Sequence, residues 1–299
     1  MFKHLLVPLD GSAMSEAVVP AAADLARRAG ASVTLLHVLE EKPPSTVHGQ
    51  RHLQTAGEAE QYLGGVAQGA FPPDVQVRRH VHQEPTSRVA ESLAFHAEEF
   101  QPDLIVMCAH GGVRLRDRVL GSLAQQVVHR RRTSVLLLRV GADGLAHYPF
   151  DRVVAPLDGQ PAHEQGLTFA AKIARLCSAP MLLMTVVPTS SSLGGAQAVT
   201  GALLPGATQQ LLEMSEDQAV SYLQRHVERL LAEGLQAAGR VVRGGRVRLI
   251  CQAAGETAAA VVVLGTHGKA GTHAFWSGSL GPKLLRKAEA SFLLAPVPT

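Results

Sequence analysis

Glycines at 265, 268 and 278, with Ser279 beside the last, form the pattern in this sequence best suited to chemistry. They follow four apolar residues, Val261 to Leu264, which read as a strand buried on both faces. They precede SLGPKLLRKA, where an interrupted helical period begins. Glycines allow tight turns and close backbone approach where a side chain would intrude. A buried strand that runs through such a loop into a helix start can aim several free N–H groups at one place. That arrangement suits phosphate. Lys269 and His273 lie within the loop and could reach phosphate oxygens. The spacing is not that of a Walker A loop, since no Gly-Lys-Ser/Thr follows, nor the GxGxxG of dinucleotide folds.

A related loop stands in the first half: Cys108-Ala109-His110-Gly111, nine residues, then Gly121-Ser122. Here a cysteine replaces the first glycine. If the backbone at that position must press against a ligand, a Cβ and sulfur would push the ligand away. Arg114, Arg116 and Arg118 could attract phosphate in compensation, or could be solvated loop charges that pair with Asp117. The later loop is expected to be the better site.

The elements that must carry these loops alternate. HLLVPL (4–9) reads as a buried strand, a helical stripe follows over 14–29, and SVTLLHVL (32–39) is a second strand. After a polar loop with Pro43-Pro44 come a helix over about 50–68, a more exposed strand at Val75–Val81 and a helix over about 85–100. Asp103–Cys108 and Ser134–Arg139 complete the set. Residues 141–150, GADGLAHYPF, have no periodicity and read as a linker.

The same order then begins again. RVVAPLDG (152–159) repeats HLLVPLDG, PMLLMTVV matches SVTLLHVL, VVVLGTHGKAG echoes LIVMCAHGGVR, and FLLAPV echoes VLLLRV. This is an internal duplication. The fold expected is α/β: two tandem five-stranded parallel-sheet units, residues 1–140 and 151–299, each with helices on both faces in a Rossmann-like arrangement. Right-handed crossovers place every strand-to-helix loop on one sheet edge, where ligands bind in such folds. The second unit differs in a long Gly/Ser/Ala-rich stretch at 189–207 and a short arginine-rich helix near 246–257.

Composition narrows the function classes. A 46% hydrophobic, 18% charged chain of 299 residues is that of a soluble globular protein with two ordinary cores. A net charge of +3 is too slight to make nucleic acid the main partner. Cys108, Cys177 and Cys251 lack metal spacing and cannot all pair within one chain, so a reducing, cytoplasmic setting is expected. Neither a signal peptide nor a membrane-length apolar run is seen. His110 and His267 precede matching glycines but read better as loop residues than as general bases. His80 and His82 share a strand face without an evident third ligand, so no metal site is expected. No nucleophile–base–orienter set assembles, and the magnesium-binding Ser/Thr beside a P-loop lysine is absent. The chain is expected to be no enzyme, or a slow ATPase at most. Trp276, the lone tryptophan, lies two residues before Gly278.

The repeated openings, Val7-Pro8-Leu9-Asp10-Gly11-Ser12 and Ala155-Pro156-Leu157-Asp158-Gly159-Gln160, together with the Gly265/Gly268/Gly278-Ser279 spacing, resemble the universal stress protein family over nearly the whole chain. The resemblance implies side-by-side units, within a chain or as a homodimer, and ATP or AMP, with or without Mg²⁺, at the strand carboxyl ends. It would set Asp158 near the adenosine, Val186 at the adenine edge and Gly265 by the ribose. Gly268, Gly278 and Ser279 would hold phosphate, with His267 and Lys269 beside them. In the first unit the matching positions are Asp10, Val38, Cys108, Gly111, Gly121 and Ser122. The rival expectation is a scaffold that binds no nucleotide and acts through protein contacts. The turn chemistry of Asp-Gly could by itself account for Asp10 and Asp158.

Overall fold

A computed structural model describes residues 2–109, 133–160, 164–189, 205–267 and 280–297. The first half runs β1 (His4–Pro8), α1 (Ala13–Glu16), α2 (Val19–Ala29), β2 (Ser32–Glu40), β3 (Thr46–Val47), β4 (Gln50–Arg51), α3 (Ala56–Ala70), β5 (Val77–Thr86), α4 (Val89–Phe100), β6 (Leu104–Ala109) and β7 (Ser134–Arg139). The second runs β8 (Arg152–Pro156), α5 (Gln165–Cys177), β9 (Met181–Val187), α6 (Pro205–Ala232), β10 (Ala237–Arg243), α7 (Arg246–Ala254), β11 (Ala260–His267), α8 (Leu280–Lys287) and β12 (Ser291–Val297). Among the described residues no helix is long and apolar enough to cross a membrane.

Local sequence explains the boundaries. The helix α2 stops where Gly30 takes φ +64, a conformation that costs glycine little. The helix α3 starts at Ala56, later than the periodicity suggests. Thr55 accepts the Glu58 N–H at 3.2 Å, and Glu58 reaches back to the Gln54 N–H at 2.9 Å. The stretch before it forms the β3–β4 hairpin. The strand β10 is absent from the sequence reading altogether, because Arg240 and Arg243 interrupt its apolar run and it lies at an exposed sheet edge.

The expectation of two separate five-stranded sheets is corrected. One ten-stranded sheet runs β10-β9-β8-β11-β12-β7-β6-β1-β2-β5. Each half keeps its own parallel order, and the last strands of the halves join antiparallel, with Phe292 opposite Leu137, Leu293 opposite Leu136 and Leu294 opposite Val135. Both strands are apolar on both faces, so left as free edges they would expose unpaired backbone beside buried side chains. Pairing removes that liability. The cores follow the sheet rather than the duplication. On one face Leu136 and Leu138 share a cluster with Val153 and Leu293, and on the other Leu137 shares one with Phe292 and Leu294.

Polar contacts also tie the halves. The Tyr148 hydroxyl donates to Asp24 Oδ2 at 2.7 Å, and Arg28 donates to the Leu176 carbonyl at 3.1 Å. Lys172 lies 5.5 Å from the Phe2 ring centre and 4.9 Å from that of Phe169. Burial raises the Tyr148 phenol, and the adjacent Asp24 carboxylate raises it further. Tyr148→Phe leaves a partly buried carboxylate one donor short. It should cost about 1–2 kcal/mol in denaturant unfolding, with the m-value unchanged.

Candidate functional site

In the second half β8 pairs with β9 as far as Pro156 opposite Met184, and the Leu157 N–H continues to the Met184 carbonyl at 2.8 Å. On its other side β8 pairs with β11 only from Ala260 to Val262. Beyond that point β11 leaves β8 and follows β12 to His267. The splay opens a crevice at the carboxyl edge beside the first strand, where the connections from β8 and β11 lead to opposite neighbours. Such a switch point is the usual ligand position in an open α/β sheet.

A cavity of about 760 Å³ fills this crevice. Asp158, Val186 and Gly265, predicted from separate parts of the sequence, line it together, with Leu264 and Ile250 as apolar wall. Leu280 and Gly281 of α8 line it too. Behind Gly265 the helix α5 comes close: a Cβ on Gly166 would lie 3.5 Å from the Gly265 nitrogen. The Asp158 carboxylate accepts the Gln160 N–H at 3.1 Å, so the turn role is present. Its residue remains exposed on the cavity side. Gly159 takes φ +78, and among the described residues nothing lies within 4 Å of where its Cβ would be.

Three lining residues were not legible in the sequence. Tyr222 comes from α6, and its buried hydroxyl faces the Glu164 carboxylate. Burial, and then the neighbouring Glu164 and Asp158 carboxylates, push this phenol above its ordinary value. Arg225 comes from the same helix and Arg246 from the start of α7. Nearby Arg243 is paired with Glu216, and Arg240 and Arg152 share Glu256. Among the described residues neither Arg225 nor Arg246 has such a carboxylate. Two guanidiniums with no ion pair among the described residues suit the cavity to an anion. The signal that could have found them is the helical position of Arg225 one turn from Tyr222.

The remaining predicted positions are not drawn together here. His267 ends β11, while Gly268, Lys269, His273, Trp276, Gly278 and Ser279 lie outside the described residues. So do His110, Gly111, the arginines at 114–118, Gly121 and Ser122, and most of the 189–207 stretch. In the first half Val38 and Cys108 are buried. Burial, with the Asp10 charge nearby, pushes the Cys108 thiol up to about 12, so it is no reactive thiolate. Asp10 accepts the Ser12 N–H at 2.9 Å and the Ser12 hydroxyl at 2.6 Å. Burial alone would raise its carboxyl. Hydrogen bonds involving Ser12 and Ser15, with His48 beside it, hold it below its ordinary value.

His80 and His82 meet a third histidine, His96 of α4. His96 Nε2 is 3.1 Å from His82 Nδ1, and its Nδ1 is 2.9 Å from Glu99. His82, His96 and Glu99 form a hydrogen-bonded chain, and the His80 ring packs 4.5 Å from that of His96; among the described residues no group of three or more such side chains could hold a metal ion. Burial, then the His96 charge, lowers the His80 and His82 pKa values, and burial lowers that of His37. The unfolded chain therefore binds protons more readily than the native one once pH falls below the unfolded histidine value of about 6.5. Stability should be complete above that value and should decline on acidification, well before any carboxylate titrates. Thermal unfolding from about pH 7 to 5 should show the fall, and a His80→Gln/His82→Gln variant should flatten it.

Comparison with known proteins agrees with this architecture. The chain is 30% identical over 139 residues to Universal stress protein A homolog 1 of Coxiella burnetii, covering 45% of this chain and 94% of that protein. It is 29% identical over 152 residues to Universal stress protein YxiE of Bacillus subtilis, covering 46% of this chain and all of that one. A universal stress protein from Archaeoglobus fulgidus superposes with a TM-score of 0.67 at 17% identity, over 98% of this chain and 96% of that one. The cytoplasmic domain of a prokaryotic cation chloride cotransporter shares the fold at a TM-score of 0.56 and 14% identity, over 98% of this chain and 95% of that one. Fold by itself therefore does not fix function. The family's sequence pattern matches twice, at residues 1–139 and 149–296, and the chain belongs to the universal stress protein family.

Proposed function

We propose that this chain binds an adenine nucleotide, ATP or AMP, in the second half, and acts in a stress response by carrying or sensing it. The observation that carries the reading is the 760 Å³ cavity at the β8–β11 splay, which gathers Asp158, Val186, Gly265, Arg225 and Arg246. Its apolar wall suits a base, Asp158 a ribose hydroxyl, and the arginines a phosphate chain. Mg²⁺ would arrive with ATP rather than occupy a protein-built site. Hydrolysis is slow and incidental on this reading, because no nucleophile–base–orienter set assembles from the sequence.

Two measurements test it together. Small molecules released by denaturing the purified protein are identified by mass spectrometry, and stripped protein is titrated calorimetrically with ATP, AMP and Mg²⁺. Asp158→Ala should weaken binding about tenfold by loss of one charge-assisted hydrogen bond, and Asp10→Ala should leave it unchanged. A folded protein that retains nothing and gives no heat would leave the cavity without a nucleotide role and turn attention to protein partners.

A further inference from the structure

Among the described residues the duplicated edges differ. In the first half the chain turns back at His48 (φ 49) and Gly49 (φ 80), and Val47 pairs with Gln50 and Thr46 with Arg51. Two central residues with positive φ give the two-residue turn whose twist matches a hairpin. The hairpin and the residues after it lie on the carboxyl edge of β1. Gln50 Oε1 accepts the Ala13 N–H at 2.5 Å, the first amide of α1 after the Asp10-Gly11-Ser12 turn. Leu53 covers Gly11: a Cβ on that glycine would stand 2.9 Å from the leucine side chain. His48 Nε2 lies 3.7 Å from Asp10 Oδ2.

Anchors on both sides hold it there. His52 is 2% exposed, with Nδ1 2.8 Å from the Leu53 carbonyl and Nε2 3.4 Å from Glu40 at the end of β2. Arg51 meets Glu58 of α3 at 2.6 Å. At the counterpart of Gly11 in the second half, Gly159, no described residue lies within 4 Å of where a Cβ would stand, and the 760 Å³ cavity lies at that edge; residues 161–163 and 190–204, which follow β8 and β9, lie outside the described residues.

We propose that the hairpin is an intramolecular occupant of the first half's ligand edge. It holds the carboxylate, the glycine and the amide at that edge, and leaves the chain one open site of its two. This rests on the nucleotide reading of the second half. The exclusion is steric and polar at once: Leu53 fills the close-approach position over Gly11, and Gln50 occupies the Ala13 N–H beside it. A two-stranded hairpin held by the Leu53 contact, edge hydrogen bonds and the His52 and Arg51 anchors, outside the ten-stranded sheet, is a local unit that can open without unfolding that sheet.

Equilibrium dialysis with labelled ATP and Mg²⁺ counts the sites. Wild type should bind one ATP per chain. Gln50→Ala/Leu53→Ser, made alone and in a Cys108→Gly background so that the sulfur cannot mask an opened edge, should bind two in at least one background. Hydrogen exchange at the Ala13 amide should quicken at least tenfold in the same proteins. Gln50→Ala alone serves for the exchange measurement if the double variant does not fold. Two sites in wild type, unchanged exchange at Ala13, or one site in every protein would overturn the cover. No site in wild type but one in an opened variant would overturn the second-half reading and keep the cover. None in any protein would overturn both.

Discussion

Phe292→Ala should destabilise the whole molecule by about 3–5 kcal/mol, the range for emptying a buried aromatic position. Phe292 is 1% exposed and stands opposite Leu137 at the junction of β12 and β7. It belongs to a cluster that holds Leu6 and Leu36 of the first half as well as Val262 and Leu284 of the second. Because backbone pairing and both cores cross the junction, the loss should not stay in the second half. Urea unfolding should remain one transition with a lower midpoint. Amides of β6, in the other half, should exchange faster along with those of β11. If β6 kept its wild-type protection while β11 lost its own, the halves would be independently stable and the sheet merely shared.

The double variant Arg225→Ala/Arg246→Ala should lose roughly 30–100-fold in ATP affinity, about 2–3 kcal/mol. Unfolding free energy should move by less than about 0.5 kcal/mol, since neither side chain is buried or paired with a carboxylate among the described residues. Adenosine binding should fall much less than ATP binding, because most of the loss is charge. Raising salt should narrow the difference between wild type and variant. Calorimetric titrations with ATP and adenosine at two ionic strengths would show both effects. Equal losses for the two ligands would mean that the guanidiniums serve the base or the shape of the cavity, and that phosphate is held elsewhere.

Much of the architecture was written plainly in the chain. Continuous apolar runs bounded by turn residues marked β1, β2, β6 and β7, and their repetition in HLLVPLDG and RVVAPLDG marked the duplication. Buried parallel strands leave little choice of residue, so they announce themselves. Asp158, Val186 and Gly265 came from the family resemblance, and all three line one cavity at the carboxyl edge to which the topology sends the strand ends. The hairpin was not. Its pairing spans two residues a side, too short for any alternation, and depends on His48 adopting a positive φ that its sequence scarcely signals. The edge strand β10 was missed for a related reason, since half-exposed strands tolerate arginines.

The sequence by itself determined the local elements, their order and the side of the sheet on which loops gather, because these follow from hydrophobic period, turn chemistry and crossover handedness. Only the tertiary structure decided what is shared between distant parts. It joined β7 to β12 into one sheet, brought Arg225 and Arg246 from separate helices to one cavity, and laid Leu53 over Gly11. Those outcomes depend on which apolar edges and uncompensated polar groups find each other in space. Such pairings are set by packing between residues far apart along the chain, and no local pattern records them.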